Sequence, residues 1–240
     1  MSHSGTTRRG ALFGSVAGLA ALTAGTARAE QAAHTASHPV TTQLTADEAL
    51  ALLKEGNASF ETDAPYRGAI GRKRRLELAA GQMPFAVLVG CSDSRVSPEL
   101  LFGRGLGELF IIRVAGNTVD IPALGSIEYA VGPLGVPLVV VLGHERCGAV
   151  QAAIGVVEEN AEFPGRIGEM VEPILPAVLA ARGMEGDLIA NSVAANVRRV
   201  VASIADQSPI VREGVAAGKV KVVGAVYDLD DGHVSFLGEA

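Results

Sequence analysis

The chain has no tryptophan, three tyrosines and seven phenylalanines in 240 residues. A core of this composition closes through alanine and glycine at tight helix contacts rather than around aromatic anchors. Cysteine is nearly as scarce. Two cysteines exclude the multi-bridge disulfide framework of a small secreted domain, so their role is not scaffolding. Basic side chains are outnumbered, 20 Lys and Arg against 26 Asp and Glu, for a net charge of −6. That balance excludes the basic footprint of a nucleic-acid binder. Long apolar runs are missing too. The one extended uncharged stretch, residues 10–27, is rich in Ala, Gly and Thr and falls short of the roughly 20 strongly apolar residues a permanent membrane span takes.

What that stretch does have is the layout of an export signal. Arg8-Arg9 precede it, and Ala27-Arg28-Ala29 is a small-x-small cleavage site before Glu30. The paired arginines point to the twin-arginine route. Residues 1–29 are therefore read as a signal peptide, and the protein as exported, periplasmic or extracellular. Its removal takes away three arginines and no acid, leaving 17 basic and 26 acidic residues, a net of −9 over 211 residues. Residues 30–43, polar and alanine-rich, read as a disordered linker; residues 44–240 read as one domain.

Both cysteines come directly after buried-strand runs. Phe85 to Val89 is continuously apolar and ends in Gly90-Cys91; Pro137 to Leu142 has the same character and ends in Gly143-His144-Glu145-Arg146-Cys147-Gly148. A parallel strand carries the residues after it to the carboxyl edge of the sheet, where open α/β folds place ligand sites. Alternation puts Cys91, Asp93 and Arg95 on one side of their segment. His144 and Cys147 have an H-x-x-C separation that one strand-to-helix turn can present to one ion. Two sulfurs and an imidazole suit Zn²⁺ and leave a fourth tetrahedral position open, as a catalytic zinc requires.

These residues carry a resemblance. CSDSRV, followed 53 residues after its cysteine by the histidine of GHERCGA, is similar to the C-x-D-x-R and H-x-x-C signatures of the β-class carbonic anhydrase family. The likeness continues through GELFIIRVAGN (107–117), GSIEYAV (125–131) and VVGAVYDLDDGHVSFL (222–237). It implies a mostly parallel α/β sheet flanked by helices, with a carboxyl-terminal edge hairpin. It implies one Zn²⁺ per subunit on Cys91, His144 and Cys147, reversible hydration of CO₂ to bicarbonate by zinc-bound hydroxide, and a homodimer or larger oligomer. Asp93 and Arg95 become the catalytic dyad, with Asp93 as a fourth ligand in a closed state. Gln82, Phe110, Ala115 and Tyr129 match positions of the substrate pocket, more like the plant-type members than the bicarbonate-inhibited ones. Gly148 offers a backbone N–H to bicarbonate. Alternatives on the same residues are a carbon disulfide or carbonyl sulfide hydrolase, a non-catalytic zinc protein and a redox dithiol.

The rest of the chain reads as elements around that site. Thr45 to Glu48 is a capping box opening a helix to about Ser59, and Arg72 to Arg75 begin a second helix ending near Gly81. Ser97-Pro98 opens a short third. Leu109 to Val114 is a strand, and Ser126 to Val131 is helical. Helices are expected over Ala149 to Val157, Ile167 to Ala181 and Leu188 to Ile204, with a short one from Pro209. Val220 to Val226 and Val234 to Leu237 pair around Asp230-Asp231-Gly232. By itself, aromatic burial makes Phe110 and Tyr129 core residues.

Overall fold

The computed structural model describes residues 41–238. Residues 1–29, expected to be a signal peptide, and residues 30–40 of the expected linker lie outside them. The elements run α1 (Ala46–Glu61), α2 (Arg72–Leu78), β1 (Ala86–Gly90), α3 (Pro98–Leu101), β2 (Leu109–Arg113), α4 (Ile121–Val131) and β3 (Leu138–His144). They continue with α5 (Gly148–Glu159), α6 (Ile167–Val171), α7 (Leu175–Ala181), α8 (Leu188–Gln207), α9 (Pro209–Ala216), β4 (Lys221–Tyr227) and β5 (Val234–Leu237). Among the described residues no helix is long and apolar enough to cross a membrane.

The strands form one sheet ordered β2-β1-β3-β4-β5, parallel except for the β4–β5 hairpin. Every residue of β1 and β3 is buried, which explains their unbroken apolar runs. Period-two alternation sorts them. Val87, Val89, Val139 and Val141 face α4 and α8 through Ile127, Ala130, Val197, Val200 and Ile204. Ala86, Leu88, Leu138, Val140 and Leu142 face α1 through Ala49, Leu50 and Leu53.

Helix α8 lies unusually close to the sheet because two strand positions lack a methyl group. A Cβ on Gly143 of β3 would sit 2.6 Å from Val197, and one on Gly224 of β4 would also sit 2.6 Å from it. On the other face Asn57 of α1 is buried. Its carboxamide donates to Gly232 O at 2.8 Å and accepts from Val234 N at 2.9 Å, tying α1 to the final hairpin.

Three expectations about helices need correction. The first concerns Ile167–Ala181, which is not one helix: a 3₁₀ turn over Glu172–Ile174 interrupts it, because Pro173 has no N–H to continue the α ladder. Helix α4 starts five residues before Ser126, capped by Asp120 accepting from Ala123 N at 2.9 Å. Helix α2 ends at Leu78, short of Gly81. The capping box at Thr45 and Glu48 is formed as the sequence predicts, although its helix runs two residues past Ser59. Ser97 occupies the N-cap position of α3 without a side-chain bond.

Candidate metal centre

Adjacent strands β1 and β3 end together, with Gly90 opposite Leu142, so Cys91 and His144 emerge at one edge. Cys147 comes next as the N-cap of α5. The donor atoms of Cys91, His144 and Cys147 all lie within 4.8 Å of one another, and all three residues are buried. The two sulfurs are 3.9 Å apart and not bonded. Two zinc–sulfur bonds of about 2.3 Å at the tetrahedral angle separate their sulfurs by about 3.8 Å, so the spacing fits one shared ion.

His144 supplies the sharper test of fit. Its Nδ1 lies 2.8 Å from Glu145 O, which can only accept, so Nδ1 carries the proton and Nε2 presents a lone pair. Nε2 is buried and has no hydrogen-bond partner. An orphaned imidazole nitrogen facing two sulfurs is the unmet need that a metal ion fills. The two sulfurs are within hydrogen-bond reach of each other. The bond from Cys147 pulls the Cys91 thiol down to about 4 against the cost of burial, helped by the N–H groups of Gly116 and Asp93. The same bond, with burial, raises the Cys147 thiol.

Asp93 and Arg95 make a two-toothed pair: Nε to Oδ1 at 2.9 Å and Nη2 to Oδ2 at 2.8 Å, with Arg95 N also donating to Oδ1. These bonds hold the carboxyl well below the usual carboxylate range. Oδ2 stands 3.8 Å from His144 Nε2, beside the trio rather than within it. Ser92 and Ser94 are exposed, as the alternation predicts.

The remaining predicted residues divide. Ala115 packs against the cluster that contains Cys91 and Cys147. Gly148 is exposed as the first residue of α5, among N–H groups with no intrahelical acceptor. Phe110 and Tyr129 meet with ring centroids 6.4 Å apart; Phe110 is half-buried against the core, whereas Tyr129 is 50% exposed, which corrects its reading as core. Gln82 is exposed and precedes β1, whereas Cys91 lies just past its end. The two lie beyond opposite ends of a strand roughly 16 Å long, so this chain does not bring Gln82 to its own metal centre.

Sequence reasoning missed the residues that hold the loops. Arg113, at the end of β2, donates from Nε to Cys91 O at 2.9 Å and from Nη2 to Asp93 O at 2.6 Å. Arg146, left-handed at φ 49° between two ligands, is pinned by Asp230 at 2.9 and 2.7 Å. Its carbonyl accepts from Arg95 at 3.4 Å. The Gly116 N–H donates to Cys91 Sγ at 3.3 Å. Strand-end position was the available signal for Arg113 and Gly116; Asp230 had none beyond its hairpin turn.

Comparison with known proteins agrees with this geometry. A family model described as carbonic anhydrase matches residues 86–234. A carbonic anhydrase of Mycolicibacterium smegmatis is 42% identical over 190 residues, covering 78% of this chain and 92% of that protein. Carbonic anhydrase 2 of Mycobacterium tuberculosis is 41% identical over 193 residues, covering 78% and 93%. Among solved structures, a chain from the tetrameric β-carbonic anhydrases of Sordaria macrospora superposes with a TM-score of 0.61 at 28% identity, covering 68% of this chain and 85% of that one.

Proposed function

The chain belongs to the β-class carbonic anhydrase family and catalyses zinc-dependent, reversible hydration of CO₂, and from that premise we propose how its residues divide the work, where it acts and how it assembles. The observation that carries the reading is the convergence of two sulfurs and one unpartnered imidazole nitrogen beside an Asp–Arg pair. When bound, zinc supplies a Lewis acid and activates water as a nucleophile near neutral pH. Cys91, His144 and Cys147 hold it. Two thiolates neutralise its charge and so acidify water less than three imidazoles would, which leaves work for a neighbouring base.

Asp93 does that work in this reading. Arg95 keeps it ionised and oriented; Asp93 accepts a hydrogen bond from the attacking solvent oxygen and turns a lone pair toward the CO₂ carbon. The Gly148 N–H, at the first position of α5, donates to an oxygen of the bicarbonate product. A closed state in which Asp93 would join the ligands would open at least one of its two bonds to Arg95. The proton leaves to buffer.

Ala115 and the Phe110–Tyr129 pair form the apolar side of the substrate pocket. Gln82, at the wrong end of β1 for its own centre, reaches a pocket only from a second subunit, and this supports a homodimer or larger assembly. The half-exposed Tyr129 and the unpaired outer edge of β2 support the same reading. Arg8-Arg9, the uncharged stretch and the Ala27-Arg28-Ala29 site support export by the twin-arginine route.

A redox dithiol leaves the His144 nitrogen unexplained. The named relatives favour CO₂ over carbon disulfide or carbonyl sulfide as substrate. Stopped-flow hydration of CO₂ by the zinc-loaded protein, run beside sulfide release from both sulfur compounds, tests the assignment. Hydration dependent on zinc is expected; a zinc-loaded protein that releases sulfide and leaves CO₂ untouched would overturn it.

A further inference from the structure

We infer that Asn196 is a positioning residue for the metal centre: its buried carboxamide fixes the turn after β2 so that the Gly116 N–H donates to the sulfur of Cys91. The inference rests on the zinc reading above and adds a residue from α8, which contributes no ligand.

The relay is continuous and buried. Asn196 is 1% exposed, and its Nδ2 donates to Gly116 O at 2.8 Å across 80 residues of sequence. Gly116 N then donates to Cys91 Sγ at 3.3 Å, within the range for a bond to sulfur. Three elements are joined in sequence: α8, the 3₁₀ turn over Ala115–Asn117, and the loop after β1.

The turn between the two bonds does not hold itself. Gly116 and Asn117 are both left-handed, at φ 69° and 46°, the second at a cost, and the turn is closed by Asn117 N to Val114 O at 2.9 Å and by the Thr118 hydroxyl to Ala115 O at 3.4 Å, neither of which holds the Gly116 carbonyl. The Gly116 carbonyl and the Gly116 N–H belong to different peptide planes hinged at its Cα. Anchoring the carbonyl therefore fixes the hinge, and the hinge sets where the N–H points. Glycine suits the left-handed hinge, and a Cβ there would lie 2.5 Å from Ile174 Cδ1 and 3.2 Å from Ala149 Cβ.

An N–H bonded to a thiolate withdraws electron density from it. Cys91 then donates less to the metal than it would without that bond, and the metal stays a stronger Lewis acid despite its two sulfur ligands. Losing a partner of this kind typically lowers metal affinity or activity by roughly 10–100-fold.

Cobalt(II) substituted for zinc reports this directly, because its sulfur-to-metal charge-transfer band tracks the energy of the sulfur lone pair. In Asn196→Leu, similar in volume but unable to donate, the band is expected to move to longer wavelength, zinc to pass faster to a chelator, and kcat/KM to fall by roughly tenfold or more. Ser192→Ala is the control. Ser192 lies one turn earlier on the same helix with a buried, unpartnered hydroxyl, so removing it should move none of these readouts. A folded, metal-loaded Asn196→Leu with the parent's band and release rate would overturn the inference. Should that variant fail to fold, the unmodified protein decides: loaded with cadmium-113, it should show scalar coupling between the Gly116 amide proton and the metal through Cys91. Cadmium bound with that coupling absent overturns the relay alone. A protein that takes up neither cobalt nor cadmium overturns the metal reading itself.

Discussion

At the scale of the residue, Asp93 commits both carboxylate oxygens to Arg95, so its orientation is set before any substrate arrives. Asp93→Asn keeps the volume and removes the charge. It should bind a full complement of zinc while losing roughly 10–100-fold in CO₂ hydration, and undiminished turnover in stopped-flow would remove the orienting role. Cys147→Ser exchanges a thiolate ligand for a neutral hydroxyl. It should emerge with substoichiometric zinc by atomic absorption and with a lower melting temperature than the loaded parent. The ligands were legible in the sequence because residue type and strand-end placement are both local facts. Arg113 was not. An arginine closing a strand looks like a solvated charge until the register sets it opposite Gly90, one residue before the ligand whose carbonyl it holds. Asn196 is harder still, since its partner lies 80 residues away and nothing in the helical stripe distinguishes it.

At the scale of the element, the cap of α1 gives a prediction with a definite sign. Glu48 accepts from Thr45 N at 2.8 Å, and this bond, with that of the Thr45 hydroxyl, lowers its pKa below the ordinary 4.5. A carboxylate shifted down stabilises the fold fully above its ordinary pKa and loses that contribution as pH falls through the lower folded value. Glu48→Gln should therefore be less stable than the parent at neutral pH, and urea midpoints of the two should draw together as pH falls below the ordinary 4.5. A gap that persists in acid would mean that the bond does not depend on charge. Asn57→Ala tests the other tie of α1; stranding the buried Val234 N–H and Gly232 carbonyl should cost about 1–3 kcal/mol in the same titration. Strands β1 and β3 were legible because burial on both faces leaves an unbroken apolar run. Periodicity alone hid the break after α6, since the stripe continues through Pro173 while the hydrogen-bond ladder cannot. The start of α4 was hidden because Ile121, 88% exposed, and Pro122 carry no apolar period, and only Asp120 marks the cap.

At the scale of the whole molecule, the strand order β2-β1-β3-β4-β5 could not be read from the sequence, because neighbours are chosen only by packing between distant segments. It leaves the outer edge of β2 open, and the proposed assembly can be tested. The protein should elute in sizing chromatography as a dimer or larger, with activity in that fraction; an active monomer would contradict the proposed contribution of Gln82 from a second subunit. Zinc binds the folded centre, so chelation should lower the melting temperature, by the equivalent of about 2.7 kcal/mol for a site held at 100 times its Kd. Helix α8 reaches the turn at Gly116 only because Val197, the residue after Asn196, drops into the space left bare at Gly143 and Gly224. Two absent methyls on the floor of the sheet thus set the depth of a helix, and with it the reach of an amide toward a sulfur it never touches. Alanine at either strand position would lift that helix and detune the ion from behind, leaving every ligand in place.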